Sequence, residues 1–271
     1  MKQLTKLCLL IGCLVLFLGL PLVYAAIPYG ATLTPVANKT AAADVAGSHA
    51  AIAGNITEIT VTGFSTTQTW QGYYGNVSGT IQLADGSDNV MYNWTLASPQ
   101  GEVYSAVFGN ITWINISCFN FSAAGTYASD VAQIGGTSFY GMNLTQLEAM
   151  YNIVWDDMDG VNETFEYNGT NLVNNVGSHD TFYTNSLLFS EGECLSTNTL
   201  VKASGIGIDN SFEEVLLYDS ENRIPIFVAL LDEEDPNGFD DAEHDFQMLV
   251  LEDGHGTDTA SVTYYFYVEL E

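Results

Sequence analysis

Cations are almost missing from this sequence. Among 271 residues, 5 lysines and arginines stand against 33 aspartates and glutamates. Lys2 and Lys6 open the chain, so only Lys39, Lys202 and Arg223 lie beyond residue 26, and that remainder carries 3 minus 33, or −30, formal charges. A field of that sign repels nucleic acid and anionic lipid surfaces, which removes both as expected partners. It attracts cations, and the acids have three readings: metal binding, a high-salt habitat, or solubility. Cysteine is scarce as well. Cys8 and Cys13 fall in the opening segment, leaving Cys118 and Cys194. Two cysteines cannot build a structural zinc site, whereas an even pair in an oxidising compartment predicts one disulfide joining the two halves. Long apolar runs are missing with one exception. The run from Leu7 to Val23 carries no charge, follows Lys2 and Lys6, and ends at Val23-Tyr24-Ala25. That is the layout of a secretory signal peptide over residues 1–25, cleaved after Ala25 or Ala26. The alternative is an uncleaved anchor helix, since 17 apolar residues just reach across a bilayer. Nothing later is long and apolar enough to span a membrane.

Asparagine in glycosylation sequons is abundant. Asn-x-Ser/Thr occurs at Asn38, Asn55, Asn76, Asn93, Asn110, Asn115, Asn120, Asn143, Asn162 and Asn168, half of the 20 asparagines. Each is a candidate surface acceptor in a secreted chain. Eight precede residue 150, while 26 of the 33 acids follow it. The chain therefore divides into an Ala- and Gly-rich arm at 26–54, a sequon-rich region at 55–150 and an acidic region at 151–271. The last two either form separate small domains or one continuous domain.

Period-2 alternation dominates after the arm. Ile59 and Val61 alternate with Thr60 and Thr62. Val77, Gly79, Ile81 and Leu83 share a face, Asp85-Gly86 turns, and Val90, Tyr92, Trp94 and Leu96 return with Asn93 on the opposite, wet face. Further strands are predicted over 102–108, 110–118, 181–189, 212–218, 224–231 and 246–251. The closing one has Val262, Tyr264, Phe266, Val268 and Leu270 on one face, and Thr263, Tyr265, Tyr267 and Glu269 on the other. Asn110 and Asn115 alternate onto opposite faces, which calls for a bulge or one unmodified site. One short helix near 143–154 follows from Asn143 as a cap, Gln146 three residues on, and Leu144, Leu147, Met150, Tyr151 and Val154 at helical spacing. The fold expected is all-β, an antiparallel β-sandwich (one large or two small) with that one helix.

No constellation of catalytic residues emerges, and the chain reads as a non-enzyme. Gly254-His255-Gly256-Thr257 resembles the histidine motif of subtilisin-like serine proteases, and Gly136-Thr137-Ser138 their serine motif. The order is reversed, and Phe139-Tyr140-Gly141 replaces the small residue and proline that follow the serine in that family. Those enzymes need a parallel α/β scaffold, and a triad needs base and nucleophile within hydrogen-bond reach. The glycine-rich stretch reads as a turn. Carboxylate pairs for glycoside hydrolysis can be chosen almost at will from so many acids, so no pair is informative.

Acidic loops are the better sites. The loop 232–241 offers Asp232, Asp235, Asn237, Asp240 and Asp241 beside Glu233, Glu234 and Gly238, the oxygen-rich, bendable kind of segment that hard cations such as calcium take. Asp156, Asp157 and Asp159 before Gly160 form a second candidate. Neither is an EF-hand, because the twelfth position from Asp157 is Asn168 rather than a bidentate glutamate. A solvated acidic loop is the competing reading for both. His179-Asp180 and His244-Asp245 read as isolated turn histidines rather than a transition-metal site. Trp70, Tyr73, Tyr74, Trp94 and Trp113 either stack on sugars or pack in the sheets.

Two stretches carry a resemblance: Trp70-Gln71-Gly72-Tyr73-Tyr74-Gly75-Asn76 through Ser98-Pro99-Gln100-Gly101, and Tyr264-Tyr265-Phe266-Tyr267-Val268-Glu269-Leu270. They resemble uncharacterised secreted surface glycoproteins of archaea. The resemblance implies an extracellular location, sequons used by an archaeal glycosylation route and a possible high-salt habitat, with no activity to transfer. The function expected is a calcium-stabilised cell-surface or extracellular structural protein, as in an S-layer, filament or adhesin, self-associating or meeting other surface proteins. Its arm would add to a neighbour's sheet edge. The alternatives are a carbohydrate-binding module, which needs an exposed row of aromatics, and a secreted hydrolase, which needs a pocket with converging polar groups.

Overall fold

The computed structural model describes residues 27–43, 45–96, 98–121, 131–134, 137–140, 142–154, 157–165, 179–201, 207–208, 211–232, 236–253 and 261–271. The signal-peptide expectation and the glycine-rich stretch around His255 lie outside them.

Two neighbouring strands explain the architecture. β12 (Glu213–Asp219) and β13 (Ile224–Leu230) are buried almost throughout. They pair antiparallel from Asp219↔Ile224 to Glu214↔Ala229. A strand buried on both faces must be covered on both. Alternation sends Leu216, Phe227 and Ala229 into one core and Val215, Leu217, Ile226 and Val228 into another. Around this pair runs a seven-stranded antiparallel sheet. Its order is β1 (Tyr29–Gly30), β15 (Tyr265–Leu270), β5 (Gly101–Ala106), β13, β12 and β11 (Ser196–Asn198), with β6 (Ile116–Cys118) also on β12. β5, from the sequon-rich region, sits between β13 and β15 of the acidic region, so the two regions share one sheet.

The first core is closed by a two-stranded ribbon, β2 (Trp70–Gly75) with β14 (Phe246–Leu251), and by two short helices, α1 (Leu144–Met150) and α2 (Val161–Thr164). The second is closed by the hairpin β9 (Phe182–Thr184) and β10 (Leu187–Phe189), whose Phe182 and Phe189 rings stack at 5.0 Å. The fold is thus all-β and antiparallel, with a second sandwich layer of only two strands. α1 has the expected capping box: Asn143 accepts from the Gln146 N–H, and the Gln146 side chain accepts from the Asn143 N–H. The Cys118–Cys194 disulfide ties β6 to the base of the β9–β10 hairpin across 76 positions of sequence. Closing so long a loop stabilises by roughly 4 kcal/mol at most, since native strain subtracts.

Several expectations need adjusting. Residues 110–118 are not one strand. A 3-10 turn at Trp113–Asn115 precedes β6, and this irregularity leaves both Asn110 and Asn115 exposed. Residues 181–189 fold into a hairpin, with Asn185 in the left-handed region (φ 56°) at its turn. Residues 59–62 pair with nothing among the described residues and are exposed. The hairpin β3 (Thr80–Ala84) and β4 (Val90–Thr95) forms as expected, but among the described residues no layer covers its apolar face. A further hairpin, β7 (Val131–Ile134) with β8 (Thr137–Tyr140), was not anticipated.

Candidate functional site

Seventeen of the 26 exposed large apolar side chains among the described residues lie between positions 27 and 95. The arm leaves the sheet after β1, where the Ala31 N–H donates to the Phe266 carbonyl, and runs to Thr69 without helix or strand among its described residues. Along it Ile52, Ile56, Ile59, Val61 and Phe64 are between 59% and 102% exposed. Its one cation anchors it: Lys39 Nζ lies 3.1 Å from Asp240 Oδ2 and over the Tyr74 ring. Near its end Thr67 donates to Asp159 at 2.5 Å. β2 then leads into the β3–β4 hairpin, where Ile81 faces Trp94 and Leu83 faces Tyr92 across the pair. Tyr92 and Trp94 touch at 4.8 Å, and both are at least half exposed. A two-stranded hairpin with an uncovered apolar face is marginally stable on its own. Across residues 27–100 the formal charge is −3, against −27 over residues 101–271.

At the opposite extreme lie buried carboxyls. Gly101, with φ +118°, is so close to β15 that a side chain there would collide with the Glu269 carbonyl. That close start sets Glu102 of β5 directly opposite Glu269 of β15, and they are 3% and 5% exposed. The Tyr104 hydroxyl lies 3.3 Å from Glu102 Oε2 and 3.0 Å from Glu269 Oε2. Burial first, and the Glu269 and Glu271 charges second, push Glu102 up to about 9. Burial also raises Glu269 and, further, Glu214, which is wholly enclosed. Glu214 Oε2 accepts the Leu249 N–H at 2.7 Å, while its Oε1 has no partner. Beside Glu102 a cleft of about 240 Å3 is lined by Asp180, Glu213, Asp232 and Glu271.

Of the loop acids expected to bind calcium, Asp232, Asp240, Asp157 and Asp159 are engaged by protein donors. The His244 imidazole first and Lys39 second hold Asp240 down at about 2. Asp232 accepts the Phe212 N–H, and the Asn237 backbone bridges to Glu243. Asp241 is an exposed turn residue with φ 60°. Asp157 accepts the Val154 N–H, and Asp159 accepts from Thr67. Asp235 and Asp156 lie outside the described residues. Among those described, no three His, Cys, Asp or Glu side chains gather as a metal ion would need.

The histidines have separate tasks. His179 Nε2 accepts the Cys194 N–H, and its imidazole is held below its ordinary range chiefly by burial. His244 sits against Asp240 and the Tyr74 ring. Of the five aromatics, Trp113 is buried, and Trp70 packs on Phe165 and Phe227 while donating to the Asp159 carbonyl. They form no exposed row. Among the sequons, Asn38, Asn55, Asn76, Asn93, Asn110, Asn115, Asn120 and Asn162 are exposed. Asn143 is 7% exposed and committed to the α1 cap, and Asn168 lies outside the described residues.

No protein-family model matches this chain, and no curated protein or solved structure matches it. Among the described residues no helix is long and apolar enough to cross a membrane. The Glu102–Glu269 pair escaped sequence reasoning because alternation puts Glu269 on a face with Thr263, Tyr265 and Tyr267 without telling whether that face is covered.

Proposed function

We propose that this chain is a secreted, N-glycosylated, non-enzymatic structural subunit that joins copies of itself at a cell surface or in an extracellular fibre by strand addition. One observation carries the reading. Residues 59–62 have the alternation of a β-strand, yet they are exposed and pair with nothing among the described residues. An extended segment with unused backbone donors and acceptors is the donor in strand addition. The β3–β4 hairpin, with open edges and an uncovered apolar face, is its natural acceptor on a neighbouring copy. Charge supports the same choice: two bodies at −27 repel, so contact belongs to the nearly neutral region at 27–100. Eight exposed sequons support glycosylation.

The test is sedimentation of native protein across a concentration series, with Ile59→Pro and Val61→Pro introduced together. Proline removes the N–H groups a donor strand needs. The expected outcome is assembly by the natural chain and a monomer of unchanged melting temperature for the variant. A natural chain that stays monomeric at every concentration, or a variant that assembles equally well, rejects strand addition. Intact mass settles the sugars: a mass equal to the bare chain removes glycosylation from the proposal. A glycan-binding reading rests on the exposed Tyr92–Trp94 pair alone, and retention of the natural chain but not of Trp94→Ala on a glycan column would favour it.

A further inference from the structure

We propose that Glu102 and Glu269 share one proton and act as an acid-closed latch, holding the tip of the β9–β10 hairpin on the sheet and releasing it as the surroundings turn alkaline. The base of this hairpin is pinned. Cys194 is disulfide-bonded to Cys118, and the Cys194 N–H donates to His179 Nε2 at 3.0 Å. Its tip is held by carboxyls instead. The Asn185 N–H donates to both oxygens of Glu269 at 3.1 and 3.0 Å, and the Tyr183 backbone hydrogen-bonds Glu102. Thr184 Oγ1 and the Tyr183 carbonyl lie 3.2 and 3.3 Å from the Tyr104 hydroxyl, which sits between the two carboxyls.

The charges do not balance unless a proton is present. Facing the pair are Tyr104 from β5, Glu271 after β15, Asp180 before β9, Glu213 from β12 and Asp232 after β13. Every titratable group in that set is an acid or a phenol. Among the described residues no lysine, arginine or histidine hydrogen-bonds Glu102 or Glu269; Lys39 is spent on Asp240, and Arg223 lies at the far turn between β12 and β13. Lys202 lies outside the described residues. Two opposed anions at 3% and 5% exposure with no cation cost more than one anion and one acid, so a single proton stays.

The direction follows. Glu102 is raised in the closed form, and opening returns it to water and to the ordinary carboxyl range. The closed form therefore binds the extra proton. Its advantage is complete below the ordinary carboxyl range and is lost as pH rises towards about 9. With one proton linked to opening, the opening constant grows about tenfold per pH unit through that window. Opening uncovers Phe182 and Phe189, which otherwise cover Tyr104 and Trp113.

Hydrogen exchange on the full chain tests this, with each rate corrected for intrinsic exchange. Between about pH 5 and 8, protection in peptides covering 181–189 should fall about tenfold per pH unit. In Glu102→Gln, which mimics the protonated acid, the hairpin slope should vanish. Glu269→Gln serves if Glu102→Gln does not fold. A flat hairpin profile in the natural chain, or an equally steep one in whichever variant folds, overturns the latch.

Discussion

Phe227 and Trp94 are both large, apolar and on β-strands, yet Phe227 is fully buried and Trp94 is 50% exposed. The contrast extends to their surroundings. Around Phe227 lies a sheet covered on both faces, whose flanking segments hold 29 of the 33 acids. Around Trp94 lie an uncovered hairpin and an arm with almost no charge. Charge and apolar exposure are distributed in opposite senses: the acidic part buries its apolar side chains, and the neutral part displays them. Exposed apolar surface without repelling charge is a surface that associates. Exposed charge over a closed core is a surface that stays apart.

Four measurements would break or sharpen this contrast. The largest effect is expected for Phe227→Ala, which should cost about 3–5 kcal/mol in urea unfolding, because a filled two-faced core cannot collapse around the void. A loss below about 1 kcal/mol would mean that the core is loosely packed.

Next is Glu214→Gln, read as stability against pH. Glu214 is raised in the folded chain, so its contribution is greatest in acid and declines as pH climbs past the ordinary carboxyl range. The natural chain should lose stability as pH climbs past the ordinary carboxyl range, and the variant's slope there should be shallower. Parallel slopes would show that Glu214 does not titrate there.

Asn143→Ala should cost about 1 kcal/mol by removing the α1 cap. Since Asn143 is buried in that cap, it should also carry no sugar even where the exposed sequons do, and site mapping by mass spectrometry checks this. A sugar found on Asn143 would require the cap to open.

The smallest effects belong to the neutral region. Ile59→Ser and Trp94→Ser should each shift the stability of the isolated chain by less than about 0.5 kcal/mol. A cost above about 2 kcal/mol would show that the chain itself covers these residues.

The legible parts of the fold were those decided locally. β14 was readable at both ends because Phe246–Leu251 is apolar between polar flanks, and α1 because Asn143 and Gln146 sit at the spacing a capping box needs. β12 and β13 were readable from their runs of Val, Leu and Ile, and the disulfide from a lone pair of cysteines. What escaped depends on partners distant in sequence. β1 is two residues long and exists because β15 is beside it. β11 and β6 divide one edge of β12 between them. Glu269 could be placed on a face but not as buried, because alternation tells two faces apart without telling whether one or both are covered. Tyr92 and Trp94 looked inward for the same reason, and no layer of the described residues lies against them. Of the acidic loop, Asp240 could be picked out as a charge; that Lys39, some two hundred residues earlier, would neutralise it could not.

The Cys118–Cys194 bond has a bearing on durability. Both of its ends enter the sheet through β12, one by way of β6 and the other just before β11. A protease that cuts once anywhere between residues 119 and 193 therefore separates nothing. The two pieces stay joined covalently, and the paired strands on either side stay in register. Such a molecule can be nicked and remain one particle, coming apart on a gel only once reductant is added.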